Sequence, residues 1–283
     1  MELFKYFPPS RIDVLESGRI CFSVAQNFND PFEMKPPMAL YENDQAMASA
    51  FEALAPKLIS EEYDKLDPKI RALITPERLQ VMLMAQFKQR LPEIIPACKE
   101  VEPLLSSNLH QKLHAIMGIL CLTESHDNLL MWAHYGMSHA GFVMGFDTTH
   151  PFFNGRRTDH DELYHVRQVK YSDERPRMVL TQTEDLSAFL TKSQHWAYER
   201  EWRMLMPLSA ASAVIGDGSR QFHLFDFPKE CVKSVHLGCR IAQDDRSRII
   251  ELLRSDPSLQ RPRCYQAEID HQYFRLNFKP IEY

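Results

Sequence analysis

The sequence predicts an α+β fold, a mixed and largely antiparallel sheet core with an inserted helical block. Three observations carry this expectation. Short apolar-aromatic runs separated by turn residues fill the first forty positions and most of the chain after Gly118. Between them, residues 44–117 read with a helical period instead. A run of strands following a helical block is the pattern of segregated helices and antiparallel strands, not of alternating βα units. The expected organisation is residues 1–43 as the first strands of the core, 44–117 as an inserted helical subdomain and 118–283 as the remainder of the core.

Taken in order, LFKYF and RICFS read as strands, with Pro8, Pro9 and Gly18 as punctuation. RIDVLESG between them predicts a short helix ending at Gly18. Thr75 before Pro76 is an N-cap with proline at the first helical position, and Leu79, Met82, Leu83, Phe87 and Leu91 then fall on one face. Leu105, Leu109, Leu113 and Ile116 suggest a second helix. From Gly118, strands are expected at GILCLT, GFVMGFD, LYHVRQVKY, EWRMLMP, QFHLFDF, VKSVHLG, RCYQAEI and FRLNF, interrupted by one helix, DDRSRIIELLR.

Composition excludes several classes. Hydrophobic residues at 44% and charged ones at 25% leave no room for a disordered or fibrous chain. A net charge of -5 argues against a scanning nucleic-acid binder, because no long-range field would draw the chain to a polyanion. With only 9 glycines, neither GxGxxG nor GxxxxGK[ST] can be written anywhere, which removes the dinucleotide fingerprint and the P-loop. The opening segment carries Glu2, Lys5, Arg11, Asp13, Glu16 and Arg19, and no later stretch approaches the apolar length of a membrane span. A cytoplasmic protein with no membrane partner is the expectation. The 6 cysteines are scattered without a CxxC, as reduced thiols would be.

Motif readings that fail are informative too. Gly136-Met137-Ser138-His139-Ala140 has the spacing of a nucleophile elbow, but the helical-looking NLLMWAHYG comes before it and a strand after it, the reverse of what an elbow needs. His110 and His114 share one helix face, yet Gln111 stands where a zincin has its catalytic Glu, so a solvated face is expected.

Three segments are unusual. In Asn27-Phe28-Asn29-Asp30-Pro31-Phe32-Glu33, Asn and Asp before Pro favour an Asx-type turn. Burial of Phe28 and Phe32 would hold Asn29, Asp30 and Glu33 polar-side out, as a well-anchored turn or as a polar site. The second, Thr123 to Gly136, packs Trp132, His134 and Tyr135 into one short helical turn; Trp132 suits the core, and His134 or Tyr135 a cleft. In the third, Trp196 to Arg203, a strand would put Glu199, Glu201 and Arg203 on one face. That row fits either a salt-bridged surface stripe or a catalytic Glu whose acidity is tuned by its neighbours.

Together the opening strand, FSxxxxFNDPFE, CLTExxDNLLMWAHYGxxHxGFVMGFD and WxYExEWR resemble the bacterial domain-of-unknown-function family 2971 along essentially the whole chain. The order of these segments is also similar to the ADP-ribosyltransferase fold, in particular to DarT-type enzymes that modify DNA. That resemblance implies an NAD-consuming transferase, of the toxin or anti-phage effector type, with NAD as substrate, a nucleic-acid or protein acceptor and no metal. It implies Glu201, with Glu199 as competitor, as the catalytic carboxylate. Lys5 or Arg203 would hold the pyrophosphate, Ser23 the ribose, and Tyr135 the nicotinamide ring, with Tyr6 and His134 beside them. Transferases of this fold commonly carry His or Arg where this chain has Lys5. Asn29, Asp30 and Glu33 have no obvious role in that pattern beyond receiving the target. A metal-dependent nuclease using Asp30, Glu33 and Glu199 or Glu201, and a binding module using the Arg-rich late helix, are the competing readings.

Overall fold

A computed structural model of the chain describes residues 1–181, 186–216 and 221–283. The described residues of 1–35, 112–175 and 184–283 form one compact unit, and those of 36–111 and 176–183 form another. Chain order begins β1 (Glu2–Phe7), α1 (Asp13–Ser17), β2 (Arg19–Val24), β3 (Met38–Ala39), α2 (Asp44–Asp64), α3 (Pro68–Arg71) and α4 (Pro76–Ile116). It continues with β4 (Met117–Thr123), α5 (Leu129–His134), β5 (Phe142–Asp147), β6 (Val166–Gln168), β7 (Lys170–Ser172), β8 (Met178–Val179), β9 (Thr191–Ser193) and β10 (Glu201–Pro207). The last elements are β11 (Ala213–Ile215), β12 (Phe222–Asp226), β13 (Val232–Leu237), α6 (Gln243–Ser255), β14 (Arg263–Ile269) and β15 (Leu276–Ile281). The α+β class expected from the sequence is the observed one.

The first unit is built on an 11-stranded sheet among the described residues, with the path β11-β12-β2-β4-β1-β5-β13-β14-β15 and with β10 joining β4 to β6. Every pairing in it is antiparallel except β13 with β14, which α6 connects as a crossover. The centre of the sheet is covered on both faces, and its sequence reads accordingly. In β1, Leu3 and Phe7 pack with Phe22, Leu120, Phe142 and Met144, while Phe4 and Tyr6 point the other way onto Met131, Trp132 and Val143. The expected short helix is α1, and Gly18 ends it with φ 65 in the left-handed region, where a Cβ would be strained.

A polar cluster reaches across β5 from β1 to β13 and β14, with Ser234 and His236 buried in it. Ser234 Oγ donates to Glu2 Oε1 at 2.5 Å and lies 3.0 Å from His236 Nε2, and Arg263 donates to Glu2 Oε2 at 2.9 Å. Burial, reinforced by neighbouring His126, holds the His236 imidazole down at about 3. The folded chain thus keeps His236 neutral where the unfolded chain, titrating near 6.5, takes up a proton. Stability should fall as pH drops from 6.5 towards 3, by about 2.5 kcal/mol from this group between pH 7 and pH 4.5. Urea midpoints at pH 7 and 4.5 measure this, and the slope should flatten in His236→Asn.

In the second unit β3 and β8 pair in parallel, Met38 with Met178 and Ala39 with Val179. Asn43 caps α2 by accepting from Ala46 N at 2.9 Å, and Glu102 accepts from Leu40 N at 3.1 Å. The two helices expected within 75–116 are one continuous helix, α4, of 41 residues. Pro92, Pro96 and Pro103 lie inside it. Each removes one backbone donor while keeping a helical φ, so the helix carries missing bonds without ending. Thr75 Oγ1 caps it, accepting from Arg78 N at 3.4 Å. Among the described residues no helix is long and apolar enough to cross a membrane.

Two further expectations are corrected. LYHVRQVKY divides into β6 and β7 at buried Val169: β6 pairs with β10, Val169 N still donates to the in-register Glu201 O at 2.9 Å, and β7 beyond it pairs in parallel with β9. The histidines of α4 do not form a solvated face. His114 is 5% exposed and its Nε2 donates to Met34 O at 2.8 Å, while His110 Nε2 donates to Pro36 O at 2.9 Å. Each supplies a donor to a carbonyl that no strand partner satisfies.

Candidate active site

The site begins with a split in the sheet. Along one edge β4 pairs with β10 over its whole length, from Thr123 with Glu201 to Met117 with Pro207. Its other edge is shared: β2 takes Gly118 and Ile119, and β1 takes Thr123. Between those contacts the strands diverge, and the Cys121 carbonyl receives the Lys5 ammonium at 3.1 Å. A cavity of about 370 Å³ opens there, within the usual range of small-molecule sites. Phe4, Lys5 and Tyr6 of β1, Ser23 at the end of β2, Asn27 to Asn29 beyond it, and His134 and Tyr135 of the α5 turn all line it.

The floor is a buried ion cluster. Lys192 Nζ reaches Glu199 Oε2 at 2.5 Å, Glu201 Oε2 at 3.1 Å and Glu33 Oε2 at 3.6 Å. Behind it, Arg203 is 0% exposed and commits all five of its N–H donors. Nε donates to Glu201 Oε1 at 2.8 Å and Nη1 to Phe189 O at 2.8 Å and Met34 Sδ at 3.4 Å. Nη2 donates to Glu201 Oε2 at 3.0 Å and to Glu33 Oε1. Burial opposes charge on Glu201, but Arg203 and Lys192 outweigh it and hold the carboxyl down at about 2. For Glu33 burial prevails over the same two cations, and its carboxyl is raised. Burial lowers Lys192, yet the three glutamates more than reverse this.

Glu199 and Glu201 arrive by different routes. Glu199 does not lie on the strand, as the sequence suggested; it ends a 3-10 turn, Gln194–Glu199. Arg200 then takes φ 44 and ψ 52, which breaks the two-residue alternation, and β10 begins only at Glu201. The reversal brings both carboxylates onto Lys192. Tyr135 OH donates to Glu199 Oε1 at 2.6 Å, and Thr123 Oγ1 donates to the Glu199 carbonyl at 2.5 Å. Burial and then Glu199 raise the Tyr135 phenol, so it stays a donor. Tyr171 OH accepts from Glu201 N at 2.8 Å, and burial pushes its phenol up to about 12. The reading of the row as a surface stripe is overturned, since Glu199, Glu201 and Arg203 are 3%, 4% and 0% exposed.

Other expected residues separate. Lys5, Tyr6, Ser23, Asn29, Glu33, His134, Tyr135, Glu199 and Glu201 share the cavity wall. Arg203 and Asp30 do not line it. Arg203 has no donor left for a pyrophosphate and acts as the anchor of Glu201 and Glu33. Asp30 Oδ1 accepts from Phe32 N at 2.9 Å, the expected Asx turn. Its orientation is only partly the expected one: Asn29 is exposed and Phe28 half-buried, but Phe32 is 63% exposed, whereas Asp30 and Glu33 are buried at 7% and 4%. The ion pair with Arg203 draws Glu33 inward and turns Phe32 out, where the Arg175 guanidinium stacks over it. Tyr6 OH donates to Ser125 O at 3.0 Å, leaving only its ring for the cavity.

Nothing in the sequence marks Lys192 or Tyr171 as residues of the site. A lone lysine in TKSQHW looks like a solvated residue, and WAYEREWR, with two Glu and two Arg, is balanced by itself and asks for no further cation. Of the acids of the nuclease reading, Glu33, Glu199 and Glu201 are already paired with Lys192 or Arg203, and Asp30 is engaged in capping its own turn. Among the described residues no group of three or more His, Cys, Asp or Glu side chains is arranged to hold a metal ion.

No curated protein and no solved structure matches the chain. One family model does match, over residues 131–204 rather than the whole chain. By that segment, which runs from α5 into β10 and carries Tyr135, Lys192, Glu199, Glu201 and Arg203, the chain is similar to the family described as protein of unknown function (DUF2971).

Proposed function

We propose that the chain is an enzyme that cleaves the N-glycosidic bond of NAD in the cleft between β1 and β2, transferring the ADP-ribosyl group to an acceptor. The observation that carries this reading is a pair of buried carboxylates on the wall of a small-molecule-sized cavity, charge-balanced from behind and surrounded by aromatic faces. As the bond breaks, its electron pair leaves with the nicotinamide nitrogen and positive charge develops on the ribose C1′. A fixed carboxylate stabilises that charge, as in glycosidases. Glu199 is the better placed of the two. It accepts hydrogen bonds from Lys192 and Tyr135, whereas Glu201 accepts two from Arg203 and one from Lys192. Glu201 is then the positioning residue that holds Lys192 in register.

The cavity wall fits the substrate's chemistry. Phe4, Phe28 and Tyr135 offer aromatic faces to a pyridinium, and Ser23, Asn27 and Asn29 offer partners to its carboxamide and ribose. Lys5 spends one donor on Cys121 O and keeps two for a phosphate. Depletion of NAD, or modification of a nucleic-acid or protein acceptor, would give such an enzyme the action of a toxin or anti-phage effector.

Purified protein incubated with NAD should release nicotinamide. Glu199→Gln should lose about 10²–10³-fold of that rate with an unchanged unfolding transition. Release should be indifferent to EDTA. Wild-type rates in Glu199→Gln and Glu201→Gln alike would overturn the assignment, and release abolished by EDTA would return the metal reading to the front.

A further inference from the structure

The acids of the floor are unequally satisfied. Both oxygens of Glu199 and both of Glu201 accept hydrogen bonds. Glu33 differs: Oε1 accepts from Arg203, while Oε2 is buried without a hydrogen-bond donor, its nearest cation being Lys192 Nζ at 3.6 Å. A buried oxygen left unpartnered is costly unless a ligand or a proton completes it. Glu33 also lines the cavity, on a turn made rigid by the Asp30 cap and by Glu33 N donating to Asp30 O at 3.2 Å.

We infer that Glu33 is the proton acceptor for the incoming nucleophile, the group that activates water or an acceptor hydroxyl against the ribose C1′. The inference rests on the function proposed above and extends it to the second half of the reaction. The step balances. The C1′–N bond breaks and its electron pair stays on nicotinamide, which leaves neutral. The nucleophile's oxygen forms the new C1′–O bond and its proton passes to Glu33 Oε2, then to solvent. The division of labour follows from the partners of each acid. Glu199, held by Lys192 and Tyr135, stays an anion beside the developing cation, whereas Glu33, with one free oxygen and a carboxyl raised by burial, is suited to carry a proton. Arg203 bridges Glu33 and Glu201, so the two carboxylates keep a fixed separation on the cavity floor.

The test is chemical rescue. With water as nucleophile, Glu33→Gln should release nicotinamide at least about 10²-fold more slowly than wild type. Sodium azide attacks without a proton to lose, so it should restore release in Glu33→Gln by about tenfold or more, with formation of the azido-ribosyl product, and should leave Glu199→Gln inactive. Folding is followed by thermal unfolding, and NAD binding by the shift NAD gives to that transition. If Gln at 33 does not fold, Glu33→Asp keeps a charge for Arg203 while withdrawing the carboxylate from the cavity, and the same azide criterion applies to it. A folded, NAD-binding Glu33 variant that hydrolyses at the wild-type rate, or that azide fails to revive, overturns the inference while wild-type release leaves the proposed function standing. Absence of release from the wild type removes both.

Discussion

Replacing Arg203 with Leu should destabilise the first unit by about 3–5 kcal/mol, the usual cost of stripping one partner from a buried ion cluster. Nothing near Arg203 can take over its work. All five of its donors are used at 0% exposure, and without it Glu201 and Glu33 share a single cation, Lys192. Urea denaturation followed by near-ultraviolet circular dichroism checks this. Adding Glu201→Gln to the Arg203→Leu variant should recover part of the loss, because it removes one of the carboxylates left uncompensated. The pH dependence has a definite sign. Glu201 titrates at about 2 when folded against 4.5 ordinarily, so its contribution is complete above about 4.5 and is lost as pH falls towards 2. In Arg203→Leu that acid limb should flatten.

Trp132→Ala should be of similar size, about 3–5 kcal/mol, and should abolish nicotinamide release as well. Trp132 is 0% exposed, its Nε1 donates to His126 O at 2.8 Å, and its ring meets Tyr6 edge-on at 5.3 Å. It also sets the path after α5: a Cβ on Gly136 would come within 2.8 Å of its ring, so the chain turns directly over the indole. Emptying that volume frees the turn carrying Tyr135 and the ring of Tyr6, both on the cavity wall. Unfolding midpoints read the stability loss. Trp132→Phe, which fills much of the space but loses the hydrogen bond, should fall between wild type and Ala on both scales.

What the sequence made legible follows from the range of the forces involved. Strands such as FVMGFD and EWRMLMP announce themselves because apolar runs between turn residues need only local information, and α1 is marked by Gly18. Glu201 and Arg203 on one face of a strand were readable for the same reason. Glu199 was not, because one left-handed residue, Arg200, resets the alternation. The turn at Asn27 to Glu33 was recognisable by its Asx chemistry but not by its orientation. Which side chains it buries is decided by Arg203, 170 positions further along the chain from Glu33. Lys192 was invisible on the same grounds. That the two expected helices join into one was not legible either, since Pro92, Pro96 and Pro103 lie inside α4 without ending it.

The place of β1 in the sheet bears on how the protein is made. β1 lies between β4 and β5, yet about 110 residues separate the end of β1 from the start of β4, and β10, which completes the other edge of β4, comes later still. At roughly 5–20 residues per second, ribosomal synthesis leaves β1 without its partners for roughly 5–20 seconds. Its apolar residues on both faces and its unpaired backbone stay open to the wrong partner for that interval. The helical segment made meanwhile depends mainly on local contacts and can form while β1 waits. Slowing translation between residues 36 and 116 should therefore lower the yield of native protein, and a chaperone that shields extended apolar segments should restore it.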